Sequence, residues 1–455
     1  MELNIENLGV VRQIKIDLSK KFILFCGRNS TGKTYTSFIL QAFLSEGLVG
    51  NLDSIDKFAQ QINEKGCFRI EKSMIQEWID VNCMNVKHKL GSIFGISDST
   101  CNKLFQKFSI SAQFTDLDFE KTLALPMSMI REEGNVVWKI SKQPNNDIIT
   151  VECNCDEGKV MLNPNTLRAS VLYSSVIRYL ALGNDAGVRM LTVERNSIYT
   201  FKTELSLSRN ELIEQIQQSS SSELDIIGLI NKSSRRYPQA VRSSLRIAND
   251  LENIQKHESE FADIANLIEG KLLCGEVNMT KNGDVEFHTA NMPKTRRLPF
   301  HMSSSIVKTM ASLVIYLRHI AAKGDMLIVD EPEMNFHPDV QVLLARIFTM
   351  LTKRGLQVVV STHSDYIVRE MNNLIMANSI YNKVGKLPFN ELELQENMLL
   401  DPNDISVMLF EHTRKSLVEA RSINIDEEGF AIASIDDTIT RQNLMAEQLY
   451  AELKK

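Results

Sequence analysis

The stretch that most constrains this chain runs from Phe22 to Leu44, "FILFCGRNSTGKTYTSFILQAFL". An apolar run of strand length leads into two glycines that bracket four residues, then Lys-Thr, then apolar residues at helical spacing. Strand, glycine-bounded loop and helix in this order form a phosphate-binding loop, G-x-x-x-x-G-K-T. Gly27 and Gly32 let the backbone turn so that the amides of Arg28, Asn29, Ser30 and Thr31 face a phosphate, and the helix adds the positive end of its dipole. Lys33 reaches the β/γ oxygens, and the Thr34 hydroxyl is placed to ligate Mg²⁺. Every residue from Gly27 to Thr34 is therefore a candidate nucleotide contact.

Two later segments have the form that would complete such a site. In "GDMLIVDEPEMNFHP" the apolar run Met326 to Val329 predicts a buried strand that ends in Asp330 and Glu331, two carboxylates at the C-terminal edge of a parallel sheet. Asp330 would hold Mg²⁺ through water, and Glu331 would polarise the water that attacks the γ-phosphate. The alternative is that the acidic pair only caps the helix that begins after Pro338 and ends at Gly355. In "LQVVVSTHSDYIV" a second buried strand, Val358 to Val360, is followed by Ser361, Thr362 and His363. A histidine there can sense the γ-phosphate; taken alone, a histidine after a strand is more often a cap or a satisfied core residue, and its place one helix and one strand after Glu331 is what favours the sensing role.

"GRNSTGKT", "LIVDEPEMNFHP" and "VVVSTHS" resemble the Walker A, Walker B plus D-loop, and switch histidine of ABC-type ATPases in the SMC, RecF and OLD group. The opening "NIENLGVVRQIKIDLSKKFILFC" resembles that group's N-terminal hairpin. The resemblance implies an α/β fold, an ABC-type P-loop ATPase head with an inserted helical lobe or short helical arm. It also implies ATP and Mg²⁺ as ligands, and a head-to-head dimer or higher oligomer that sandwiches ATP. In "HMSSSIVKTMASLVIYL", Ser303 and Ser304 match the signature that meets the γ-phosphate held by the other subunit. Ser305 departs from the usual glycine, and an ordinary serine-rich helix cap is the alternative.

A chain of 455 residues exceeds what a single core usually spans, and the boundaries expected are 1–60 and 271–385 for the two parts of the head. Residues 61–270 form an inserted mixed and helical lobe, and 386–455 a C-terminal extension. Within the insert, "VRSSLRIANDLENIQKHESEFADIANLIEGKLL" is the longest helical stretch and suits a short arm or hairpin, without the sustained heptads of a long coiled coil. "NVVWKISKQPNNDIITVECN" and "GEVNMTKNGDVEFH" read as β-hairpins. The stretch from Gly66 to about Thr122 receives no assignment. Glu194 and Arg195 in "LTVERNSIYTF" resemble an element of the same ATPase group and suggest no more than a structural ion pair.

The net charge of −6 gives no global field for nucleic acid. Two local clusters stand against it: Lys232, Arg235, Arg236, Arg242 and Arg246, and Lys294, Arg296 and Arg297. Either would suit a phosphate backbone, although a charge run is more often a solvated face or a docking surface. No leader-like start and no apolar stretch of membrane length is present, so the chain reads as cytoplasmic, and its seven cysteines as reduced thiols. "SIDDTITRQ" offers Asp436 and Asp437 without the D-x-D of an OLD-type nuclease, and "YNKVG" lacks the aspartate of a guanine-reading motif.

Three functions are thus in play. The first is an ATP-hydrolysing regulator of a separately encoded effector, a nuclease or toxin, as in two-component anti-phage systems such as PARIS and Septu, which stand-alone ATPases of this style resemble. The second is a RecF-like repair ATPase that clamps DNA through Arg235, Arg236, Arg242, Arg296 and Arg297. The third is a nucleotide-gated scaffold that hardly hydrolyses.

Overall fold

The computed structural model describes residues 1–45, 52–116, 118–120, 129–132, 136–142, 149–155, 167–182, 187–202, 237–281, 283–291, 293, 296–413 and 417–454. The strands in chain order are β1 (Glu2–Leu8), β2 (Val11–Asp17), β3 (Phe22–Gly27), β4 (Cys67–Ile70), β5 (Ser109–Gln113), β6 (Met129–Glu132), β7 (Val136–Lys142) and β8 (Ile149–Cys155). They continue with β9 (Val188–Leu191), β10 (Gly275–Met279), β11 (Val285–Thr289), β12 (Leu298–Pro299), β13 (Met326–Asp330), β14 (Gln357–Thr362), β15 (Ile405–His412) and β16 (Val418–Ile423).

A nine-stranded sheet of order β5-β1-β2-β16-β15-β3-β14-β13-β9 carries the architecture. From β15 to β9 every neighbouring pair is parallel, whereas β15/β16, β1/β2 and β1/β5 are antiparallel. The parallel strands are mostly apolar because both faces are covered. Ile23 and Phe25 of β3, Ile328 of β13 and Phe410 of β15 enter one core with the helices Lys33–Ser45, Leu52–Lys65, Lys72–His88 and Leu167–Leu182. Phe22, Leu24 and Cys26 of β3, Leu327 and Val329 of β13 and Leu409 of β15 enter the other, with Ser305–His319, Pro338–Lys353 and Asp365–Val384. The period of two along each strand thus divides the side chains between the two layers of helix.

Smaller sheets, β4-β8-β7-β6 and β10-β11-β12, adjoin it. The hairpins expected in 135–154 and 275–288 are β7/β8 and β10/β11; Asn135, the turn 143–148 and Asn282 lie outside the described residues. The stretch read as an arm or hairpin is not one. It breaks into Gln239–Asn249, Leu251–Ile254, Ala262–Ile268 and the π-helical turn Glu269–Leu273, and buries Leu251, Phe261, Ile264, Ala265 and Ile268 in the second core. Its apolar positions serve the head itself. Two strands of the nine, β5 and β9, come from within 61–270, and β15 and β16 come from the segment read as a C-terminal extension. Of the described cysteines, Cys26, Cys67, Cys83, Cys101 and Cys274 are free thiols. Among the described residues no helix is long and apolar enough to cross a membrane.

Strand β15 lies so close to β3 that Gly27 is obligatory. It has φ 143°, and a Cβ there would stand 2.4 Å from the Phe410 carbonyl oxygen and 3.1 Å from Phe410 Cβ. Gly27→Ala is therefore expected to destabilise the fold by at least about 2 kcal/mol, read as a shift of the denaturant midpoint. An unchanged midpoint would contradict the close approach.

Candidate nucleotide-binding site

Parallel register brings the sequence motifs to one sheet edge. Thr362 of β14 pairs with Cys26 of β3, and Asp330 of β13 pairs with Ser361 of β14, so the loops that follow these strands leave side by side. This is the edge at which open α/β sheets bind ligands.

The loop after β3 turns with Ser30 at φ 62° and Gly32 at φ 91°, left-handed positions that let successive amides converge. It is braced from within by Thr31 Oγ1 donating to the Arg28 carbonyl at 2.7 Å. Arg28, Asn29 and Ser30 are exposed. Lys33, the first residue of the helix, is buried and donates to the carbonyls of Gly27 at 2.9 Å and Arg28 at 2.8 Å. Burial lowers its pKa, against the pull of Glu331 and Asp330.

Asp330 is 1% exposed. Its carboxylate accepts from Thr34 Oγ1 at 2.8 Å and from the Ser361 hydroxyl, so the P-loop, β13 and β14 meet at one side chain. Burial nevertheless pushes this carboxyl above its ordinary range, with the two hydroxyls acting against that. Glu331 follows with φ 45°, its amide donating to the Ser361 carbonyl at 2.9 Å. Its carboxylate is 30% exposed and lies 3.9 Å from His363 Nδ1.

Three groups that the motifs did not single out complete the edge. Glu333 is 7% exposed. Its Oε1 accepts from Thr362 Oγ1 at 2.8 Å and from the His363 amide at 2.9 Å, and stands 3.3 Å from His363 Nδ1. Ser361, named only as a neighbour of His363, is the second donor to Asp330. Arg195, expected to pair with Glu194, instead donates to main-chain oxygens: Thr192 at 3.0 Å, Asp330 at 2.6 Å and Glu331 at 2.7 Å. Burial lowers its pKa to about 10, which leaves it charged at neutral pH. The available signal for Arg195 was its place directly after β9, whose Leu191 pairs with Val329.

Ser303 and Ser304 immediately precede the helix Ser305–His319. Phe300, just before them, meets the Tyr199 ring at 5.7 Å, which fixes this helix start near the turn that carries Arg195. Ser303 Oγ is buried without a hydrogen-bond partner, and Ser304 makes no side-chain cap. The basic clusters fare differently. Lys232, Arg235, Arg236 and Lys294 lie outside the described residues. Arg242 is turned inward and donates to the carbonyl of Ser92 at 2.9 Å and to its hydroxyl at 2.8 Å, a brace between segments rather than an open cation. Arg296 and Arg297 are exposed, with Arg297 3.6 Å from Glu286.

For Mg²⁺ the donor set fits. Thr34 and Asp330 offer hard oxygens in contact with each other, and Mg²⁺ commonly takes one or two protein oxygens, completing its shell with phosphate and water. Among the described residues no group of three or more His, Cys, Asp or Glu side chains forms a dedicated metal cage.

Removing the Glu333 carboxylate strands the donors at the head of β14. Glu333→Ala is expected to cost about 2 kcal/mol in denaturant unfolding, and Glu333→Gln less, because an amide oxygen can still accept. Equal stability of the Ala variant and the wild type would remove Glu333 from this junction.

The family described as AAA ATPase domain matches residues 1–368. Among solved structures the chain is similar to the SmcHead bound to the C-winged helix domain of ScpA, at 10% identity over 94% of this chain and 98% of that one, TM-score 0.35. It is also similar to the Smc head domain with an extended coiled coil bound to the C-terminal domain of ScpA derived from Pyrococcus furiosus, at 11% identity over 100% and 99%, TM-score 0.34. Likeness this slight transfers neither partners nor activity. No curated protein matches. The family match spans both β3 with its loop and the β13 and β14 edge, and the chain belongs to the AAA ATPase domain family.

Proposed function

We propose that this protein binds ATP with Mg²⁺ and hydrolyses it at the edge formed by β3, β13 and β14. The observation that carries the reading is the 2.8 Å contact between Thr34 Oγ1 and the buried Asp330 carboxylate, which joins the phosphate loop to the second acidic segment. Lys33 exchanges its bonds to the Gly27 and Arg28 carbonyls for phosphate oxygens, so its charge is already at the loop before nucleotide arrives. Thr34 and Asp330 would hold the cation, which when bound would neutralise phosphate charge. Glu331 is the partly exposed carboxylate at this edge and orients the attacking water. His363, within 3.9 Å of Glu331 and 3.3 Å of Glu333, is placed to sense whether the γ-phosphate is attached.

The resemblance of the motifs to stand-alone ATPases of anti-phage systems extends the proposal. ATP binding would drive assembly of a head-to-head dimer or higher oligomer, with Ser303 and Ser304 meeting the nucleotide of the second subunit. Hydrolysis would regulate a separately encoded effector nuclease or toxin. The inward-turned Arg242 removes one of the cations on which direct DNA clamping would rely.

Glu331→Gln is expected to bind ATP as the wild type does while its phosphate release falls about 100-fold or more, and Lys33→Ala to lose binding itself. Ordinary turnover by Glu331→Gln would remove Glu331 from its role, whereas negligible turnover by the wild type itself would leave a nucleotide-gated scaffold as the better description.

A further inference from the structure

In an extended strand consecutive carbonyls point to opposite sides. At the end of β13 they do not: Asp330 O and Glu331 O both accept from the guanidinium of Arg195, at 2.6 and 2.7 Å. The left-handed φ of 45° at Glu331 breaks the alternation and swings its carbonyl round to the Arg195 side. A residue with a Cβ holds that conformation only where its surroundings impose it. The Glu331 amide is held by Ser361 O at 2.9 Å, so Ser361 and Arg195 grip the residue from both ends of its backbone and leave only the side chain free. That side chain is the 30% exposed carboxylate at the nucleotide edge.

The guanidinium suits this work in shape. Its planar fork spans two acceptors, and a third bond to Thr192 O at 3.0 Å anchors it to its own turn after β9. At 3% exposure the side chain has no surface role. All three acceptors are main-chain oxygens, so Arg195 reads backbone shape.

We infer that Arg195 is the positioning residue for Glu331: its fork locks the left-handed turn after Asp330 and thereby aims the carboxylate that handles the attacking water. This rests on the hydrolytic reading given above. Lysine, a single point donor on a flexible stem, cannot hold both carbonyls in the same plane.

The test is a double-mutant cycle on the full chain. Wild type, Arg195→Lys, Arg195→Met, Glu331→Gln and the Arg195→Lys/Glu331→Gln double variant are compared for steady-state ATP turnover, with thermal unfolding to select the folded proteins. Arg195→Lys is expected to lower kcat about 10- to 100-fold while KM for ATP stays within about threefold, since a misplacement near 1 Å is enough for such a loss. On the Glu331→Gln background the same substitution should remove less than about twofold more, because its effect passes through Glu331. Arg195→Met should match or exceed the Lys loss; if it does not fold, the Lys variant alone decides. Wild-type kcat in Arg195→Lys, a loss carried wholly by KM, or a loss repeated in full on the Glu331→Gln background would each overturn the inference while leaving the hydrolytic reading intact. Wild-type turnover in Glu331→Gln would remove Glu331 from its water-orienting role and overturn the inference with it.

Discussion

One buried carboxylate determines where the rest of this molecule can be. Asp330, 1% exposed, is tied to Thr34 on one side and Ser361 on the other, and a charge so placed is tolerable only while both hydroxyls reach it. That condition fixes β13 and β14 in register, with Asp330 opposite Ser361, and it sets the first turn of the Lys33–Ser45 helix against the end of β13. A shift of one residue in β13 would turn the carboxylate away from both partners and exchange the apolar side chains between the two cores. Packing and site geometry are therefore one constraint seen from two ends.

Around that centre acidic and basic side chains meet within a few residues. Asp330, Glu331 and Glu333 come from one strand end, and Lys33, Arg195 and His363 come from three others. The basic groups differ in what they hold. Lys33 rests on loop carbonyls and is free to exchange them, whereas Arg195 is committed to the backbone of the acidic segment and His363 is tethered through its own amide to Glu333. Rigid acidic segment and exchangeable lysine suit a site that must meet a phosphate without reorganising its carboxylates.

Much of this was legible in the sequence because it is written in contiguous residues. The apolar runs of β3, β13 and β14, the glycines of the loop and the acids after Val329 lie each within a few positions of one another. What escaped is non-local or made of main chain. Arg242 braces Ser92 across 150 residues, and nothing in its basic neighbourhood distinguishes it from an open cation. Arg195 binds carbonyl oxygens, which every residue has, so no spacing of side chains reports its partner. Strand β9 is four residues long and carries a buried arginine, Arg189, within its apolar run. Strand β15, "ISVMLFEH", is apolar enough to read as buried, but its insertion between β3 and β16 is a matter of long-range pairing that periodicity does not encode.

The claim on which the account stands is that Asp330 and Thr34 hold the cation that accompanies the nucleotide. Its most direct measurement is the affinity for ATP by calorimetry, with Mg²⁺ and again in EDTA, for the wild type and Asp330→Asn side by side. The account predicts that Mg²⁺ tightens ATP binding in the wild type and that Asp330→Asn loses most of this gain while retaining the affinity seen in EDTA. An equal gain from Mg²⁺ in both proteins would contradict it.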